Sequence, residues 1–125
     1  MKKTKEIKKI CNLQQEIIDL LSLDPTFNNG IYLGKQNEEH IKKCHNDAYC
    51  KYFKDLTAIL KNPDYVGLNP KDGSIEIVKE YIINNEYVKV AVRLSGNGKY
   101  FVRSMYVLSN NRVHNFITKG TLKKC

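Results

Sequence analysis

His40 and His45 bracket the run His40-Ile41-Lys42-Lys43-Cys44-His45, and the basic second half adds Lys79, Lys89, Arg93 and Arg103 beside the hydroxyls of Ser104 and Tyr106. Imidazoles move protons near neutral pH, because the unperturbed pKa of ~6.5 lies close to operating pH. Cations aimed into a partly dry cleft stabilise developing charge on a crowded phosphorane. These residue types are a kit for handling a phosphodiester without a metal: a base for a neighbouring 2′-hydroxyl, an acid for the departing 5′-oxygen, and positive charge between them.

The spacing of the histidines limits how they are used. Five residues are about 500° of helix at ~100° per residue, so the rings stand about 140° apart. Either the helix breaks near Asn46-Asp47 or only one imidazole points at a shared site. His114 is a further candidate proton carrier near the C-terminus. His40, Cys44, His45 and Cys50 are all metal-ligand types, but their spacing fits neither a CxxC knuckle nor a finger, and one helix cannot converge all four. No metal and no cofactor is expected.

Apolar residues at Ile7, Ile10, Cys11, Ile17, Ile18 and Leu21 predict a helix over Thr4–Leu21, ended by Asp24-Pro25. After the turn Asn28-Asn29-Gly30, Ile31-Tyr32-Leu33 is a short extended piece. Asn37 is placed to cap a second helix, with His40 in its first turn. Tyr49, Tyr52, Phe53, Leu56, Ile59 and Leu60 predict a third helix within 47–61, which Asn62-Pro63-Asp64 stops. The period then changes. The stretches 75–82, 87–94, 100–108 and 112–117 are rich in β-branched and aromatic residues and are separated by turn signals. This predicts an α+β fold, N-terminal helices packed on a four-stranded antiparallel sheet, in a single domain of residues 1–125: an N-terminal helix over 1–26 and the remainder over 30–124.

Strand parity puts Val88, Val90, Val92 and Leu94 against the helices and leaves Lys89, Ala91 and Arg93 on the opposite face, open to a ligand. For 100–108 both sides are mostly apolar, so parity leaves open whether Arg103 or Ser104 faces that ligand. Lys79 alternates with Ile75, Ile77 and Tyr81, and is either an edge residue with a snorkelling stem or a functional one.

The 21 Lys and Arg against 13 Asp and Glu give a net charge of +8 and a pI near 9.3 in 125 residues. That excess suits RNA, DNA or an anionic surface, and equally a solubilising lysine coat. No apolar run approaches the ~20 residues that span a bilayer, and no signal-peptide core follows the basic N-terminus. A cytoplasmic protein is expected, with Cys11, Cys44, Cys50 and Cys125 as free thiols.

The segments Ile31–Leu33, His40–His45, Asn62–Gly67, Ser74–Lys79, Tyr100–Tyr106 and Thr118–Lys123 resemble the phage-associated branch of the nuclease superfamily that groups barnase, EndoU, the tRNA-cleaving colicins and RelE toxins. The resemblance spans about Gly30 to Lys124 and implies metal-independent RNA cleavage. It marks His40, His45, Lys79, Ser104 and Tyr106 as catalytic, and Thr118 or Lys119 as functional near the end of the chain. Lys43, Lys89, Arg93 and Arg103 are expected to bind substrate. The chain departs from the family pattern at Cys44, where an Arg is usual, and at Lys119-Gly120-Thr121, where Ser-Gly-Arg is usual. The implied function is that of a toxin-like or phage-linked endoribonuclease acting on tRNA or mRNA, with an acidic immunity or antitoxin protein as partner and no membrane. The alternative is a non-catalytic nucleic-acid-binding module of a mobile element, and a third reading is an interaction protein whose lysines serve only solubility.

Overall fold

Val88, Val90 and Val92 alternate with Lys89, Ala91 and Arg93, and that period of two builds the middle of a β-sheet. In the computed structural model, which describes residues 7–24, 29–95 and 98–125, this segment is β5 (Glu86–Leu94). It lies between β4 (Ile75–Tyr81) and β6 (Tyr100–Leu108), antiparallel to both. Its three valines are fully buried against the helices.

The sheet extends well beyond the expected four antiparallel strands. β1 (Ile7–Asn12), β2 (Gly30–Gly34), β3 (Tyr65–Leu68) and β7 (Leu122–Lys124) complete a seven-stranded sheet in the order β1-β2-β6-β5-β4-β3-β7. It is mixed, because β2 runs parallel to β6 while every other neighbouring pair is antiparallel. The fold of helices on a four-stranded antiparallel sheet is therefore corrected to helices on both faces of a seven-stranded mixed sheet.

Two segments take a different kind of structure from the one expected. The expected N-terminal helix is β1 followed by the short α1 (Gln15–Leu20); its first residues, 4–6, lie outside the described residues. A bulge between Lys9 and Cys11 turns both Ile10 and Cys11 toward the core. That irregularity gives Ile7, Ile10 and Cys11 a helix-like spacing in a strand. The expected fourth strand, 112–117, is helix α5 (Asn110–Thr118). Ser109 caps it, its hydroxyl accepting the Arg112 backbone N–H at 3.3 Å. Val113, Phe116 and Ile117 then share a face that closes a second core over Val78, Tyr87, Leu108 and Leu122.

Between these lie α2 (Lys35–Cys44), α3 (Asn46–Tyr52), a 3₁₀ turn (Phe53–Asp55) and α4 (Leu56–Lys61). The single helix expected over 47–61 is thus broken. Gly34, and not Asn37, is the N-cap of α2, which moves His40 into the second turn. Ile41, Ala48, Ile59 and Leu60 are fully buried in the first core with Val88, Val90 and Val92. α5 covers only part of the opposite sheet face, and the uncovered part is where the polar residues gather. No helix among the described residues is long and apolar enough to cross a membrane.

Candidate functional site

Strand β2 pairs with β6 only at Ile31 with Tyr100 and Tyr32 with Phe101. Beyond that point α2 and α3 pack along β6, with the buried Ile41 as anchor. His40, next to Ile41 in α2, therefore stands exposed at the rim of the sheet. α2 ends at Cys44, His45 takes the non-helical angles φ −133° and ψ 54°, and α3 begins at Asn46. The break brings two side chains together that a continuous helix would separate: the imidazole centroids are 5.8 Å apart, edge to face. His45 also stacks on Tyr106 at 5.2 Å with the rings 29° from parallel. The Cys44 Sγ lies 3.7 Å from His40 Nδ1.

A second irregularity sets which residues of β6 face away from the first core. Ala91 pairs with Ser104, but the next residue, Val92, pairs with Val102, so Arg103 is the extra residue of a bulge. Alternation is suspended there, and Arg103 and Ser104 line the same hollow. That hollow, about 240 Å³, is also lined by His40 and Tyr106, with Asn69, Asp72, Ser74 and Glu76 closing it from the β3–β4 side. Tyr106 lies beside Lys89, and Ser104 beside Ala91, on the face away from the first core.

The turn opposite is held in place by its own hydrogen bonds. Asn69 Oδ1 accepts the Lys71 N–H at 2.8 Å, and Asp72 Oδ1 accepts the Ser74 N–H at 2.9 Å. Gly73 completes the turn at φ +75°, a conformation that side chains disfavour. Hydrogen bonds from the Ser74 backbone and hydroxyl, helped by Arg93 and Arg103, hold the Asp72 carboxyl below its ordinary range.

Under the hollow lies an ion pair. Lys89 Nζ is 2.9 Å from Glu76 Oε2, and the side chains are only 5% and 6% exposed. Asn69 Nδ2 donates to the same carboxylate oxygen at 3.2 Å. The ammonium also lies 5.1 Å from the Tyr106 ring centroid and 5.6 Å from that of Phe116. Burial opposes the charge, but Tyr106 and Glu76 outweigh it and hold the Lys89 pKa above its ordinary value. Lys89 is therefore buried beneath the hollow, against the Tyr106 ring, rather than on an open sheet face.

The structure thus brings His40, His45, Arg103, Ser104 and Tyr106 together, with Lys89 below them and Arg93 in an adjoining recess. Lys79 is elsewhere: it donates to the Asn62 carbonyl at 2.9 Å and lies 3.7 Å from Asp64. Lys43 is exposed on α2. Thr118 closes α5 by donating to the His114 carbonyl, and Lys119 lines a separate recess with Leu20, Pro70 and Thr121. His114 is exposed on α5 rather than carried by a strand. A recess of about 370 Å³ beside Lys8, Lys35, Glu38 and Tyr49 is larger than the hollow, but no imidazole or arginine lines it.

Asn69, Asp72, Ser74 and Glu76 are not among the expected site residues, although Ser74 and Glu76 lie in the segment Ser74–Lys79 that carries the resemblance. Glu76 left a signal, an acid in the apolar run Ile75-Glu76-Ile77-Val78 whose parity matches that of Lys89 across the next strand. The loop residues left none beyond ordinary turn chemistry.

Comparison with known proteins adds one finding. A family model described as phage-Barnase-EndoU-ColicinE5/D-RelE like nuclease3 matches residues 8–115, most of the chain and all the residues that line the hollow. No curated protein and no solved structure matches significantly.

Proposed function

Because the chain belongs to the family of phage-Barnase-EndoU-ColicinE5/D-RelE like nucleases matched over residues 8–115, we propose that it cleaves RNA without a metal, using the hollow between α2 and the sheet. The observation that carries this reading is the convergence of His40, Arg103, Ser104 and Tyr106 on one concavity, with a second imidazole 5.8 Å from the first.

In the proposed reaction His40 accepts the proton of a ribose 2′-hydroxyl, and the 2′-oxygen forms a bond to phosphorus. The bond from phosphorus to the 5′-oxygen breaks, and that oxygen takes a proton from His45, which enters the step as the imidazolium and leaves it neutral. The products are a 2′,3′-cyclic phosphate and a free 5′-hydroxyl. Arg103 compensates the charge that grows on the non-bridging oxygens, and the Ser104 and Tyr106 hydroxyls donate hydrogen bonds to them. His45 packs flat on Tyr106 and the Lys89–Glu76 pair supports it from below, so the phenol is held in position before substrate arrives. The chain's net charge of +8 suits attraction of RNA, and it would equally suit an acidic protein that plugs the hollow in the manner of an immunity or antitoxin partner. A toxin-like role acting on cytoplasmic tRNA or mRNA is the biological setting this reading implies.

The test is cleavage of a mixed RNA pool in the presence of a chelator by the wild type and by His40→Ala. Loss of the proton carrier should slow cleavage by about 10²–10⁴-fold. Equal rates would remove His40 from the mechanism, and RNA retention without cleavage by the wild type would leave a binding module in place of an enzyme.

A further inference from the structure

Four neighbouring strands carry a registered row of side chains beside the hollow: Lys9 pairs with Tyr32, Tyr32 with Phe101, and Phe101 with Arg93. Paired positions share a sheet face, so the row reads cation, aromatic, aromatic, cation. The Tyr32 and Phe101 rings are 6.0 Å apart and 41° from parallel. Lys99 Nζ lies 5.3 Å from the Tyr32 ring centroid. Lys9, Arg93, Lys99 and Arg103 are exposed, and the two rings are half-buried.

Cross-strand aromatic pairs often serve only to hold strands together, and the chain contains such a pair for comparison. Tyr65 and Tyr87, 6.5 Å apart, belong to the core that α5 closes. Tyr32 and Phe101 belong to neither core. Phe101 instead walls a recess of about 380 Å³ with Asn37, Arg93 and Arg103. Arg103 lines both this recess and the hollow, so the two are contiguous.

We propose that this row, with Arg103 as the shared residue, is a binding subsite for single-stranded RNA, taking the nucleotides that flank the phosphate held in the hollow. The inference rests on the reading of the hollow as the reaction site and adds the class of substrate it prefers. Half-exposed rings accept any unstacked base, and cations on both sides of them follow the phosphates. Asp72 is an acidic group that faces Arg93 and Arg103; it subtracts from their field without occupying the row. A duplex keeps its bases stacked on one another and cannot use the rings, so the site selects single strands.

The experiment is fluorescence anisotropy with an end-labelled, fully 2′-O-methylated RNA octamer, which lacks the nucleophile and cannot be cut by the proposed reaction. The variants are Phe101→Leu, which keeps apolar bulk without a π-face, and Arg93→Ala at an exposed position, each checked for fold by circular dichroism. The octamer should bind the wild type more tightly than the same sequence in duplex form. Phe101→Leu should weaken binding by about fivefold to a hundredfold, as expected for one lost stack. Arg93→Ala should weaken it and reduce the slope of log affinity against log salt by about 0.7, as for one lost phosphate contact. Equal affinity of folded wild type and Phe101→Leu, equal affinity for strand and duplex, or no octamer binding at low salt would overturn the subsite. Absence of RNA cleavage with the Phe101 dependence intact would sink the ribonuclease reading alone.

Discussion

Replacing Lys89 by Met should cost far more than replacing Lys89 and Glu76 together. The two charges are 2.9 Å apart with side chains 5% and 6% exposed, so each has exchanged its water for the other. Removing one leaves an uncompensated buried charge, which costs about 3–5 kcal/mol. For a domain of this size, about 3–5 °C of melting temperature accompanies each kcal/mol, so Lys89→Met or Glu76→Leu should lower the midpoint by roughly 10–25 °C. In Lys89→Met with Glu76→Leu no charge is stranded, and apolar replacement of such pairs is often neutral or stabilising by about 1–4 kcal/mol. Urea melts followed by circular dichroism, with the m value checked for two-state behaviour, give the three differences. The double variant should recover stability yet cleave RNA more slowly, because Tyr106 loses the ammonium 5.1 Å from its ring. Single variants costing under about 1 kcal/mol, or a double variant costing the sum of the singles, would refute a dry, mutually dependent pair.

Other positions give sharp expectations. Gly67→Ala should destabilise by about 1–3 kcal/mol in urea melts, because its Cβ would meet the Thr121 carbonyl oxygen, a backbone atom, within contact distance. In alkylation at mildly alkaline pH followed by peptide mass mapping, the exposed Cys44 and Cys50 should react before Cys11 and Cys125. Burial pushes the Cys11 thiol up, and burial with Glu16 and Asp64 nearby pushes Cys125 up to about 11. The Tyr52 hydroxyl, with Lys51 assisting, holds the Glu86 carboxyl below its ordinary 4.5. Its contribution is therefore complete above that value and lost as the pH falls through the lower folded-state value. Acid titration of stability should show this loss, and Glu86→Gln should remove that part of the pH dependence.

The strands over 75–81, 86–94 and 100–108 were legible because each is a long β-branched run flanked by turn residues. β1 was hidden by its bulge, which gives Ile7, Ile10 and Cys11 a helical spacing. α5 was hidden by composition: Val113, Phe116 and Ile117 suit a strand as well as a helix, and tertiary packing over Val78 and Leu108 decides. The parallel pairing of β2 with β6 joins segments about seventy residues apart, which local patterning cannot register. In the candidate site, the residue types of His40, Ser104 and Tyr106 were readable. The two irregularities that aim them, the helix break at His45 and the bulge at Arg103, are tertiary outcomes. Strand parity left Lys79 as either an edge lysine or a functional one, and its contacts are with the Asn62 carbonyl and Asp64.

The most direct test of the central claim is end-group analysis of RNA fragments produced in chelator, by mass spectrometry. Attack by the 2′-hydroxyl at the hollow predicts 2′,3′-cyclic phosphate, or the 3′-phosphate it opens to, on one fragment and a free 5′-hydroxyl on the other, with the same end groups forming about 10²–10⁴-fold more slowly with the His40→Ala protein. Fragments carrying 5′-phosphates, or cleavage that appears only when a divalent cation is restored, would contradict it.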